Sequence, residues 1–148
     1  MARLDDIAST FVGVDEELRL ELLLDYARRL PMLPPEYRAR RAAGENRVPE
    51  CMTPVYLWME APGGRLRILV DVAEEAPTVR GILSILVDAY DGLDPGEAGQ
   101  MPDDLLDRLR LADVIRMNRA VGMRAIMGRI KRRARELAAA GANGSDAS

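Results

Sequence analysis

The sequence predicts an α+β domain made of one β-hairpin and several amphipathic helices. Val55, Leu57 and Met59 alternate with Tyr56, Trp58 and Glu60, and Leu66, Ile68, Val70 and Val72 with Arg67, Leu69 and Asp71, on either side of Pro62-Gly63-Gly64, the pattern of two antiparallel strands around a turn. Before and after them, apolar residues recur at spacings of three and four, as in helices with one buried face. Two strands alone are marginal in water, so helices have to pack on one face of this small antiparallel sheet.

The elements follow in order. Leu4, Ile7, Ala8 and Phe11 predict a short helix over residues 3 to 12. Asp15-Glu16-Glu17 places acid at the start of a second helix, where the helix dipole favours it. Leu18, Leu22, Tyr26 and Leu30 form its stripe, Leu23 and Ala27 widen it, and Pro31 ends it. Pro31 to Pro35 is a stiff connector, and Arg38, Arg40 and Arg41 beyond it read as a solvated surface. After the hairpin, to which residues 46 to 49 could add a short third strand, Glu74-Glu75-Ala76-Pro77 opens another helix. Its buried face runs from Val79 to Tyr90, and Asp91-Gly92 stops it. Residues 93 to 101 read as a loop, and a short helix through Leu105, Leu106 and Leu109 follows Asp103-Asp104. The last helix starts near Asn118 with a core stripe from Met123 to Leu137, and its basic residues read as a solvated face. Residues 1 to 140 are expected to form a single domain, with 141 to 148 a disordered tail.

Composition narrows the chemistry. At 148 residues the chain can build a core without staples, and with 4% aromatic residues that core is mostly aliphatic. A net charge of −3 argues against a nucleic-acid binder, and no apolar run reaches membrane-spanning length. A single cysteine excludes an intramolecular disulfide and points to the cytoplasm. With no histidine there is no Ser-His-Asp triad and no Cys-His pair, and one thiol supplies a single soft ligand, which argues against a zinc or iron–sulfur site built from this chain alone.

Attention therefore falls on Cys51. A lone cysteine is often a buried small hydrophobe. Here Pro49 and Pro54 flank it, Arg47, Glu50 and Thr53 are polar, and a strand leaves directly behind. That context predicts an exposed thiol on a loop tip, reactive once ionised.

Four segments carry a family resemblance. Leu30-Pro31 closes the second helix. Asn46, Val48, Cys51, Thr53 and Val55 resemble the motif N-x-V-x-G-C-x-S-x-V-W. Glu75-Ala76 through Val79-Arg80-Gly81-Ile82, with Tyr90-Asp91, resembles an acidic-start helix of I-V-K-G-L type. Asn118-Arg119-Ala120-Val121-Gly122-Met123 resembles the helix start S-R-x-x-G-L. In order and spacing these resemble the SufE family of sulfur acceptors for cysteine desulfurases, from about Asp15 to about Ala138. Where the motif has glycine this chain has Glu50, which restricts the turn and sets a negative charge beside the thiol.

The resemblance implies an α+β fold like that of iron–sulfur scaffold proteins. It implies a non-enzymatic carrier that takes persulfide sulfur on Cys51 from a PLP-dependent cysteine desulfurase, stimulates it, and passes the sulfur to an iron–sulfur scaffold complex. No cofactor, metal, nucleic acid or membrane is implied, and the chain would be a monomer or homodimer. Arg119 is the candidate cation near the thiolate, and Glu50, Thr53 and Glu75 are candidate partner contacts. The rival readings are a cluster scaffold, a thiol peroxidase-like redox protein, and an interaction module with an inert cysteine.

Overall fold

The computed structural model describes residues 2–51, 53–73, 75–101, 104–111 and 117–147; at 2, 106, 117–121 and 142–147 the backbone alone is described. Three helices come first: α1 (Ala2–Val12), α2 (Glu16–Arg29) and α3 (Pro35–Ala42). Strands β1 (Val55–Glu60) and β2 (Arg67–Val72) follow, then α4 (Pro77–Tyr90), two single turns α5 (Pro95–Ala98) and α6 (Leu105–Arg108), and the long α7 (Met117–Ala147). The fold is α+β, as the alternating and helical periodicities predict.

β1 and β2 pair antiparallel, with Val55 opposite Val72 and Glu60 opposite Arg67. Pleating sends Val55, Leu57, Met59, Ile68, Val70 and Val72 to one face, where they join the main core with α1, α2, α4 and α7. Within that core α2 lies on α4 so closely that a Cβ built on Gly81 would overlap the Leu23 carbonyl and side chain. Asp15 caps α2 by accepting from the Leu18 N–H at 2.8 Å, which confirms where the acidic run starts the helix.

The opposite face of the hairpin is also covered. Trp58 is buried there with Leu33 and Tyr37, and Tyr56 and Leu69 pack at the edge. Tyr37 comes from α3, whose first residue is Pro35, a residue suited to the first helical position. Arg41 pairs with Asp71 of β2, and the Arg40 guanidinium stands 5.1 Å from the Tyr37 ring centroid. Arg41 is exposed, as expected, and Arg40 is half-buried, and both tie α3 to the sheet.

Two expectations need amending. Residues 46 to 49 make an isolated bridge, Arg47 opposite Tyr56, in place of a third strand. The segment read as a loop over 93–101 contains α5, capped by Asp94, which accepts from Gly96 N–H at 3.0 Å and Glu97 N–H at 3.3 Å. The backbone of α7 runs on through residues 141–147. The Asp103 start signal lies outside the described residues.

Candidate functional site

The loop that bears Cys51 is closed at its base by main-chain bonds. Val48 N–H donates to the Val55 carbonyl at 2.8 Å, and Leu57 N–H to the Asn46 carbonyl at 3.1 Å. Asn46 has φ of 59°, a left-handed conformation that asparagine tolerates better than most residues. Its side-chain Nδ2 donates to the Leu57 carbonyl at 3.0 Å, so one residue both reverses the chain and pins it.

From Val48 the chain turns through Pro49 and Glu50, and Cys51 N–H donates back to the Val48 carbonyl at 3.3 Å. Proline at the second turn position fits its fixed φ. Glu50 has no positive φ, so this turn needs no glycine there. The restriction expected from Glu50 in place of the motif glycine is absent from the resting loop.

The tight turn folds Cys51 inward. Only 8% of its surface is exposed, and it belongs to the main core with Val48 and Val55. This corrects the expectation of an exposed thiol: the polar side chains of the loop face water while the sulfur does not. The seat is made by Gly122 in the second turn of α7. A Cβ there would stand 2.9 Å from Cys51 Sγ and 3.3 Å from its Cα. Glycine inside a helix costs about 1 kcal/mol relative to alanine, and here the missing methyl is the space the thiol occupies.

Gly122→Ala is therefore expected to push the loop off its seat. Overpacking costs about 1–3 kcal/mol and falls on the closed loop alone, so alkylation of Cys51 by a neutral reagent should accelerate roughly ten-fold. Unchanged alkylation would mean that the thiol does not depend on this contact.

Burial raises the Cys51 pKa, the nearby Glu50 carboxylate raises it further, and Arg129 partly offsets both. Arg129 reaches the loop through Glu50, at 3.8 Å, with 36% and 43% of the two side chains exposed. Alkylation is expected to titrate with a midpoint above the 9.0 of an unperturbed thiol, returning to that value in denaturant. Because the folded state favours the neutral thiol, its contribution to stability is complete below the unfolded midpoint and lost as pH rises through the folded one. A native midpoint equal to the denatured one would contradict the seat.

Of the other residues singled out in the sequence, Thr53 is half-buried in the bend after Cys51, and Glu75 is exposed in the turn before α4. No hydrogen bond or ion pair joins either to the loop among the described residues. Arg119 lies on the first turn of α7, three residues before Gly122, and its side chain lies outside what is described. Two members of the site were not singled out. Gly122 carried a signal, a costly glycine inside a helix that matches a motif. Arg129 carried one only in retrospect, seven residues after Gly122 on the same helical face.

The chain matches the SufE domain, described as an Fe-S metabolism associated domain, over residues 5–134. The chain belongs to the SufE family. An uncharacterised SufE-like protein of Mycobacterium tuberculosis is 38% identical over 136 residues, covering 91% of this chain and 93% of that one. A SufE-like protein of Rhizobium etli is 28% identical over 144 residues, with 95% of each chain covered. The solution structure of a hypothetical protein from Thermus thermophilus superposes with a TM-score of 0.78 at 28% identity, covering 91% of this chain and 95% of that one. SufE membership places the chain in iron–sulfur metabolism, in an accessory role related to sulfur transfer. Among the described residues no helix is long and apolar enough to cross a membrane.

Proposed function

We propose that this SufE-family chain is the sulfur acceptor and activator of a PLP-dependent cysteine desulfurase, with Cys51 as the carrier. The observation that supports it best is the lone thiol held on a short closed loop against Gly122, a single reactive group stored out of reach of solvent. The Cys51 thiolate attacks the outer sulfur of the donor persulfide. A new sulfur–sulfur bond forms on Cys51, the donor's sulfur–sulfur bond breaks, and the donor thiolate leaves. The Cys51 proton passes to solvent or to a base of the donor, and no net oxidation occurs. The carried sulfur then goes to an iron–sulfur scaffold complex by the same exchange.

The raised thiol pKa suits storage, since a neutral thiol resists stray oxidants. Reactivity has to come from leaving the seat, because desolvation is the largest cause of the shift. Mixing the full chain with the desulfurase of the same genome and free cysteine tests the reading by intact mass. A gain of one sulfur, removed by reductant, is expected. A desulfurase that turns over while the chain gains no sulfur would sink it.

A further inference from the structure

The face of α7 that seats the thiol continues as a basic strip. Arg129 comes two turns after Gly122 on the same side, and Arg132 and Arg133 follow one turn later. With Asn46, Met59 and Glu136 they line an open groove of about 180 Å³ beside the base of the Cys51 loop. Arg133 is engaged there, its Nε donating to the Met59 carbonyl at 3.4 Å and its Nη1 meeting Glu136 at 3.2 Å. The guanidinium groups of Arg129 and Arg132 donate no hydrogen bond among the described residues. Among the described residues, the one acidic partner of Arg129 is Glu50, the residue next to the thiol, at a loose 3.8 Å.

We propose that this strip is the docking track for an acidic segment of the sulfur donor, whose carboxylates take Arg129 from Glu50 and so release the Cys51 loop. The identity of the donor rests on the sulfur-acceptor reading above; the track and its latch do not. Charge complementarity selects the occupant. A guanidinium offers a planar fork of donors that fits a carboxylate in two-point contact, and the Glu50 pair at 3.8 Å satisfies none of them. An incoming carboxylate that makes the closer contact wins Arg129 by hydrogen bonding. The loop can then leave its seat, and the thiol reaches water, where burial no longer disfavours its thiolate. Glycine at this position, as in the motif, offers no such handle, so Glu50 gives this chain a latch specific to its own sequence.

The full chain, a neutral alkylating reagent and short peptides test this without a desulfurase. Arg129→Gln is expected to speed Cys51 alkylation roughly two- to five-fold, the span of an exposed ion pair. If Arg129 acted on the thiol through charge alone, removing the cation would disfavour the thiolate and slow alkylation, which overturns the latch. Oligoglutamate is expected to accelerate alkylation of the wild-type chain, an effect that added salt suppresses and oligoglutamine lacks. Arg132→Glu, an exposed position remote from the core, is expected to abolish the response to oligoglutamate. Acceleration retained in that variant, or absent in the wild type, overturns the track. A chain that takes up sulfur but ignores oligoglutamate overturns the track and spares the carrier reading. One that responds to oligoglutamate but takes up no sulfur does the reverse.

Discussion

Cys51→Ala and Cys51→Ser are both expected to abolish sulfur uptake completely. The chain has no other thiol, and neither a methyl nor an alcohol forms a persulfide. The two variants should differ in stability. Alanine leaves a small void over Gly122 at a cost of about 1 kcal/mol. Serine buries a hydroxyl in a seat that is 8% exposed and made of Val48, Val55 and the α7 backbone, and an unpaired hydroxyl there costs about 1–3 kcal/mol. Thermal melting should place serine below alanine, while intact mass shows no sulfur on either. Sulfur retained by Cys51→Ala would remove the carrier role from this residue altogether.

Gly81→Ala is expected to produce the largest loss of stability of any single methyl. In a free helix the change gains up to about 1 kcal/mol. Here the new Cβ would land on the Leu23 carbonyl and side chain, and main-chain oxygen in α2 has no rotamer to escape through. We expect a net loss of about 2–4 kcal/mol, which lowers the melting temperature by roughly 5–15 °C for a domain of this size. Gly128→Ala, at an exposed position of α7, is the matched control, since nothing lies within 4 Å of a Cβ there. It should melt at or slightly above wild type. Equal melting of the two variants would mean that α2 and α4 do not approach as closely as described.

The elements that the sequence reveals are those with long unbroken periodicity. α4 and the hairpin repeat their apolar residues often enough to fix both type and buried face, whereas in α2 the type is fixed but Leu18 of the expected stripe is exposed and the buried side is Leu23 and Ala27. α3 hides because Tyr37 is its one buried residue among charges, and the helix is held by docking on Trp58. α5 hides because it is a single capped turn. The same contrast holds at the site. Cys51 stands out in the sequence as the lone thiol within a motif, and the turn around it is written in Val48-Pro49. Its burial is not, because the polarity of Glu50 and Arg47 describes where side chains point and says nothing of what the backbone sits on. The seat is supplied by Gly122, far along the chain, and only tertiary packing brings the two together.

The placement of Trp58 has a spectroscopic consequence. It is the only tryptophan, sandwiched on the far face of the hairpin, with the Tyr37 ring centroid at 5.5 Å and that of Tyr56 at 6.3 Å. Cys51 belongs to the core on the near face. Intrinsic fluorescence of this chain is thus a gauge of α3 docking and stays silent when the thiol loop moves. A thiol-reactive dye on Cys51 reads the other side, so the two faces of one thin hairpin can be followed in separate optical channels without engineering either.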